Sequence, residues 1–345
     1  MVSRVLIVDD SVIARSALKQ IISEHPDFEV IGTAADPFEA REMIIDDDPD
    51  MLTLDVEMPR LDGLTFLERI MEHHPMPVVM VSSLTESTSR KGMKALEMGA
   101  VDVVGKPAGD TRDSIKSLKE DLIPKLEAAA RASLGAQRGT TSDESEKGPD
   151  IDLPDEVNLI VFGASTGGTK AMLKVFRELP EGLPPIMIAQ HMPETFTKQF
   201  AAHLDEEASF PVFEAEEEGY VDRSEAVLAQ GDRHLLVDGK PRGGRVHYTT
   251  NQEEEVCFQR PAVDPLFESA ARFGNGNVVG VVLTGMGKDG REGSKALSDA
   301  GSPVIVQDEE SCTVYGMPKQ VKENVATAQE VSLDQIADVL SRVID

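Results

Sequence analysis

Short apolar runs, mostly of β-branched residues, recur along the first third of the chain, and segments with helical spacing separate them. RVLIV at 4–8 is followed by an amphipathic stretch from Val12 to Ser23, with Ile13, Ala17, Leu18, Ile21 and Ile22 on one face. Further runs lie near Glu29–Thr33, Met51–Leu54, Val78–Val81 and Val101–Val104. Continuous apolar runs suit strands buried on both faces, and returns every three or four residues suit helices packed over them. Strict alternation of the two predicts a parallel α/β sheet with helices on both faces.

The texture changes at about Lys125. LEAAARASLGAQRGTTSDESEKGPDIDLP begins helical and decays into Gly, Ser, Thr and acidic residues, a composition that marks a linker. The predicted organisation is a first domain over 1–124, a linker over 125–154 and a second α/β domain over 155–345. In the second domain, Leu159–Phe162 reads as a strand, 169–178 as a helix and 184–193 as a strand ending near His191. TFTKQFAAHLDEEA reads as a helix. A β-rich section follows at about 210–260, with strands predicted at Ala226–Ala229, His234–Val237, Arg245–Tyr248 and Val256–Gln259. Asp264–Phe273 is helical, Asn277–Thr284 is the most apolar strand, and Ser332–Ile344 closes as an amphipathic helix.

Composition narrows the functional classes. The 345 residues carry 62 Asp and Glu against 34 Lys and Arg, a formal charge of −28. Such a surface repels phosphates, which argues against nucleic-acid binding. The acid excess runs through the whole chain and suggests a surface adapted to high salt, where charge repulsion is screened. That reading predicts loss of folded circular dichroism in dilute buffer, and full folding there would refute it. Cys257 and Cys312 form no CxxC pair, so neither a disulfide framework nor a zinc site is expected. The strand pattern beginning at Arg4 leaves no room for a signal peptide, and no apolar run approaches a membrane span. A cytoplasmic protein without membrane insertion is the expectation.

Polar residues gather where ligands bind in parallel sheets, at the carboxyl ends of the strands. Asp9 and Asp10 end the first strand, Asp55 the third, Ser82 the fourth and Lys106 the fifth. Asp10 or Ser11 could instead cap a helix, and Lys106 could be a solvated loop residue. Three converging carboxylates call for a cation, and oxygen ligands of this kind suit Mg²⁺. VDDS at 8–11, LDVEMPRLDG at 54–63 and GKP at 105–107 resemble a two-component receiver domain of flavodoxin-like fold. The resemblance implies that Asp55 is the phospho-acceptor and that Asp9, Asp10, Asp55 and the Glu57 backbone carbonyl hold Mg²⁺. It further implies that Ser82 and Lys106 contact the phosphoryl group and that Pro107 is cis. Val103 stands where receivers usually carry an aromatic switch residue.

LIVFGASTGGTK at 159–170 places Ser165 between glycines at a strand-to-helix turn, a G-x-S-x-G pattern. Glycines let the chain turn sharply around a nucleophile, and the next helix start offers N–H groups to an oxyanion. A simple helix cap or a P-loop are the other readings, the latter with its lysine one position late. His191 is the histidine at a comparable strand end, suited to a general base, and Asp289 is the best-placed acid to orient it. Gly285, Gly287 and Gly290 also spell a dinucleotide fingerprint, with Asp308 near the end of the next strand pattern.

GASTGG at 163–168, AQHMP at 189–193, LTGMGKDG at 283–290 and CTVYGMP at 312–318 resemble the catalytic domain of the chemotaxis protein-glutamate methylesterase (CheB) family. That likeness implies a doubly wound α/β methylesterase domain with a β-rich insertion, joined by the linker to the receiver. It implies Ser165 as nucleophile, His191 as base and Asp289 as orienting acid. The Met286 backbone N–H would bind the oxyanion, with Thr166 and Gly167 lining the same turn. The implied substrates are methyl-accepting chemotaxis receptors, demethylated at glutamates and deamidated at glutamines without a cofactor at the hydrolase site. The implied phosphodonor is the chemotaxis histidine kinase, with the unphosphorylated receiver covering the active site. Two other classes stay open: a phosphorylation-dependent binding module with an inactive second domain, and a nucleotide-dependent oxidoreductase using Gly285–Gly290.

Overall fold

A computed structural model describes residues 2–83, 85–106, 112–131, 149, 151–240, 244–273 and 276–344. Pro107 lies outside these residues. The chain divides into two compact units, 1–138 and 139–345.

The first unit alternates β1 (Ser3–Val8), α1 (Val12–Ser23), β2 (Phe28–Ala34), α2 (Pro37–Asp47), β3 (Met51–Asp55) and α3 (Gly63–His73), then β4 (Val78–Ser83), α4 (Glu86–Glu97), β5 (Asp102–Lys106) and α5 (Arg112–Arg131). Its strands are all parallel in the order β2-β1-β3-β4-β5, the flavodoxin-like arrangement. Helix starts follow local chemistry, since Ser11 accepts from Ala14 N, Asp36 from Phe38 N and Glu39 N, and Asp62 from Thr65 N. Ser11 thus takes the cap and Asp10 is left at the strand end. The core face of α1 is Leu18, Ile21 and Ile22. Ile13 departs from the face predicted for it and is 63% exposed. Helix α5 continues past Lys125 to Arg131, so the stretch expected to link the domains opens with helical turns.

The second unit contains β6 (Leu159–Ala164), α6 (Gly168–Glu178), β7 (Ile186–Gln190), α7 (Glu194–Glu207), β8 (Val212–Glu214), β9 (Glu218–Val221), β10 (Ala226–Leu228), β11 (His234–Val237) and β12 (Val246–Asn251). It ends with α8 (Val263–Phe273), β13 (Val278–Val282), α9 (Arg291–Asp299), β14 (Val304–Gln307), α10 (Met317–Asn324), β15 (Ala328–Val331) and α11 (Leu333–Ser341). Seven strands form one parallel sheet, ordered β15-β14-β13-β6-β7-β10-β8. Every residue of β6, β7 and β13 is buried, as expected of central strands covered by helices on both faces. Phe162 of β6 meets Phe176 of α6 edge-on at 5.6 Å, tying the helix that follows the serine turn to its strand.

The β-rich section does not form one insertion. Strands β8 and β10 extend the large parallel sheet, while β9, β11 and β12 form a separate antiparallel sheet ordered β11-β12-β9. Val256–Gln259 is a tight turn rather than the predicted strand. Cys257 and Phe258 have φ of 53° and 64°, which folds Val256 back onto Gln259 through a single bridge. The residue types alone suggested extension, but left-handed backbone at two successive residues reverses the chain.

Candidate functional site

At the carboxyl edge of the first sheet, ligand oxygens of Asp9, Asp10 and Asp55 all lie within 4.8 Å of one another. Lys106 Nζ reaches Asp9 Oδ2 at 2.7 Å and Asp55 Oδ2 at 2.9 Å. Burial raises the Asp55 carboxyl to about 6 against the pull of Lys106. For Lys106, burial works against the charge, but hydrogen bonds to Asp9 and Asp55 outweigh it and hold the ammonium above its ordinary range. An all-oxygen donor set of this density fits Mg²⁺. Ser82 is fully buried and donates to the Ser83 carbonyl at 3.1 Å, while the Glu57 side chain turns outward to Lys91. Gly63 is sterically required, since a Cβ there would sit 2.0 Å from the Asp55 carbonyl oxygen. Val103 is buried in β5, and its carbonyl accepts from Lys125 Nζ at 2.7 Å.

In the second unit the three residues singled out by sequence follow adjacent strands. β6 and β7 run in register, Ala164 beside Gln190, so Ser165 and His191 leave the sheet at the same level. His191 N donates to the Ala164 carbonyl at 3.0 Å and continues that register. Neighbouring strands are about 4.8 Å apart. On the other side Ser165 N donates to the Thr284 carbonyl at 3.1 Å, bringing the loop after β13 against the serine turn. That loop delivers Asp289, whose Oδ2 lies 2.7 Å from His191 Nε2.

Asp289 is buried among donors. Oδ2 also accepts from Val263 N at 2.6 Å, and Oδ1 accepts from Asp264 N and Gly290 N, both at 2.9 Å. Burial pushes its carboxyl up, yet the His191 contact and the Val263 and Asp264 N–H groups outweigh this and keep it below the usual carboxylate range. The anion thereby fixes Nε2 as the protonated ring nitrogen and leaves Nδ1 as the basic one.

The serine turn is tightly built. Gly167 has φ of 79° and precedes α6, and a Cβ on it would meet Thr313 at 2.5 Å. A Cβ on Gly285 would lie 2.7 Å from the Ser165 Cβ, so the loop carrying Met286 rests directly on the serine turn. Among the described residues, the N–H groups of Thr166, Gly167 and Met286 donate to no carbonyl, and Ser165 Oγ makes no hydrogen bond. Free amide donors around an uncommitted hydroxyl are what an acyl-transfer site requires.

Pattern reading missed the residues that hold this geometry. Gln190 Nε2 donates to the carbonyls of Ser165 (2.9 Å) and His191 (3.1 Å), tying the two turns together. Thr284 Oγ1 donates to the Thr166 carbonyl, and its own N–H is held by Gln307 Oε1. CTVYGMP braces the Met286 loop, because Gly316 N and Met317 N both donate to the Gly285 carbonyl. A dinucleotide would find this glycine loop closed, with the Gly290 N–H taken by Asp289 and the Gly293 N–H by Asp264 Oδ1.

A receiver-type acidic pocket in one unit and a buried His–Asp pair beside a serine turn in the other define a response regulator of the enzymatic kind. Residues 5–118 match the response regulator receiver domain family and residues 160–340 match the CheB methylesterase family. The chain is 45% identical over 346 residues to a protein-glutamate methylesterase/protein-glutamine glutaminase of Nitrosomonas europaea, covering 99% of this chain and 96% of the relative. It is 47% identical over 321 residues to such a protein of Cupriavidus pinatubonensis, covering 92% and 89%. The crystal structure of the Thermotoga maritima CheB methylesterase catalytic domain superposes with a TM-score of 0.52 at 34% identity. It covers 55% of this chain and 100% of that one. The chain belongs to the CheB methylesterase family and carries that family's receiver domain.

Proposed function

We propose that the protein hydrolyses glutamate methyl esters on chemotaxis receptors, releasing methanol, and deamidates receptor glutamines by the same chemistry. Phosphorylation of Asp55 by the chemotaxis histidine kinase activates it. Ser165 Oγ attacks the ester carbon as its proton passes to His191 Nδ1. The tetrahedral oxyanion forms beside the N–H groups of Met286, Thr166 and Gly167. Its collapse breaks the bond to methoxide, which takes the proton from His191 and leaves as methanol. Water, deprotonated by the same ring, then cleaves the acyl-enzyme to free glutamate and Ser165. Asp289 keeps its charge throughout and stabilises the imidazolium. With glutamine the leaving group is ammonia.

The observation carrying this reading is the His191–Asp289 contact at the end of strands adjacent to the serine turn. Its test is methanol release from methylated receptor membranes, where no methanol from the wild-type chain would favour a binding module instead. No helix among the described residues is long and apolar enough to cross a membrane.

In the first unit, Asp9, Asp10, Asp55 and the Glu57 carbonyl would hold Mg²⁺, which when bound neutralises the incoming phosphoryl oxygens. Lys106 and Ser82 contact the transferred group. A small phosphodonor is therefore expected to raise methanol release in the wild type, with the increase lost on chelation by EDTA or in Asp55→Asn. Basal release should persist in both cases. Equal loss of basal activity on chelation would contradict the separation of the two sites.

A further inference from the structure

A second carboxyl stands behind the one that orients His191. Asp264 lies in the first turn of α8 and is 6% exposed. Its backbone N–H supports Asp289 Oδ1, and its own Oδ1 accepts the Gly293 N–H at 2.7 Å. Gly290, at the cap position before α9, has no side chain to cap the helix, so Asp264 supplies the cap from the neighbouring helix. An oxygen of Asp264, an oxygen of Asp289 and the Cys257 sulfur all lie within 4.8 Å of one another. Asp289 is committed to the anionic form by the four groups that donate to it, among them His191. Two buried carboxylates so close cannot both ionise cheaply.

We propose that Asp264 is held as a neutral carboxylic acid below neutral pH, so that the Asp264–Asp289 pair carries one negative charge there, kept on the carboxylate that faces His191. Asp264 is thus a positioning residue that acts through Asp289. Its charged surroundings agree. Burial, then the Asp289 charge, and further down Glu268 on the same helix, raise its carboxyl to about 7 against the Gly293 N–H. The Cys257 thiol faces it from the 256–259 turn and is itself pushed up by burial and by both aspartates; Lys288 and Arg291 oppose that rise. His191 bears on the pair through Asp289. Ionisation of Asp264 at higher pH adds a second charge behind Asp289. That charge favours the imidazolium form of His191, which cannot accept the serine proton.

The inference rests on Ser165 being the nucleophile, which fluorophosphonate labelling of the wild type but not of Ser165→Ala checks separately. Infrared difference spectra of the full chain, in an Asp55→Asn background to remove that other high carboxyl, are expected to show a protonated-carboxyl band at pH 6. The band should fade near pH 7 and be missing in Asp264→Asn. Asparagine retains the cap oxygen, so labelling at pH 6 should stay within about threefold of wild type. Its pH–rate curve should narrow to a single-proton rise with a lower midpoint than the broad wild-type curve. A merely structural cap predicts superimposable curves. Superimposable curves, or no carboxyl band in the Asp55→Asn chain at pH 6, would overturn the proposal. The titration of the Asp55→Asn chain decides it alone if the further Asp264→Asn change prevents folding.

Discussion

Ser165→Ala is expected to lower methanol release from methylated receptor membranes by about 10⁴-fold or more, with the folded state untouched. Loss of a nucleophile in a serine triad removes the covalent route, and what survives comes from amide donors and binding alone. The prediction is sharp because the hydroxyl contributes so little to the fold. Among the described residues Ser165 Oγ makes no hydrogen bond, and the turn is held instead by its backbone groups, through Thr284 and Gln190. Thermal unfolding should therefore shift by no more than about 0.5 kcal/mol equivalent. Single-turnover methanol measurements paired with calorimetry check both halves, and full activity in the alanine variant would exclude covalent catalysis by this residue.

Asp289→Asn should have a similar kinetic effect for a different reason, and it should also cost stability. The carboxylate accepts from His191 Nε2 and from three backbone N–H groups. An amide supplies one acceptor and one donor, so its NH₂ must confront either the imidazole N–H or a backbone N–H. If it turns toward the ring, His191 is driven to the tautomer with its proton on Nδ1, and the base is lost. A drop of about 10⁴ in kcat follows from that tautomer change. Leaving buried donors unpaired adds a cost of about 3 kcal/mol. The carboxyl lies below its ordinary range in the folded chain. Its contribution to stability is therefore present above the unfolded carboxylate range and lost only as pH falls through the depressed value. Asp289→Asn should show a shallower acid limb in thermal unfolding than wild type. An unchanged acid limb together with wild-type turnover would place the orienting charge elsewhere.

These effects explain which parts of the molecule were legible in the chain itself. Strands β1, β6 and β13 are buried on both faces, so their continuous apolar runs could be read directly. Ser165, His191 and Asp289 were visible because strand ends in a parallel sheet share one edge, and a polar residue after an apolar run is conspicuous. The register that sets Ser165 beside His191 was not legible, since it is fixed by the pairing of β6 with β7 and not by either sequence. Gln190 looked like one more residue of the strand leading to His191, and only its side-chain bonds to two carbonyls reveal it as a clamp. Asp264 looked like a helix-start acid, and its role as a cap for α9 depends on two helices meeting. The turn at Cys257 and Phe258 was misread as a strand because positive φ at such residues has no compositional signature. The assignment of β8 and β10 to the large sheet, apart from β9, β11 and β12, likewise follows from long-range pairing.

The most direct test of the mechanism is an acid quench during turnover of methylated receptor, followed by peptide mapping of any receptor–enzyme conjugate. A glutamyl ester on Ser165, labile to hydroxylamine and absent from Ser165→Ala, is the expected result. Attachment at another residue, or a burst of methanol with no conjugate at all, would contradict it.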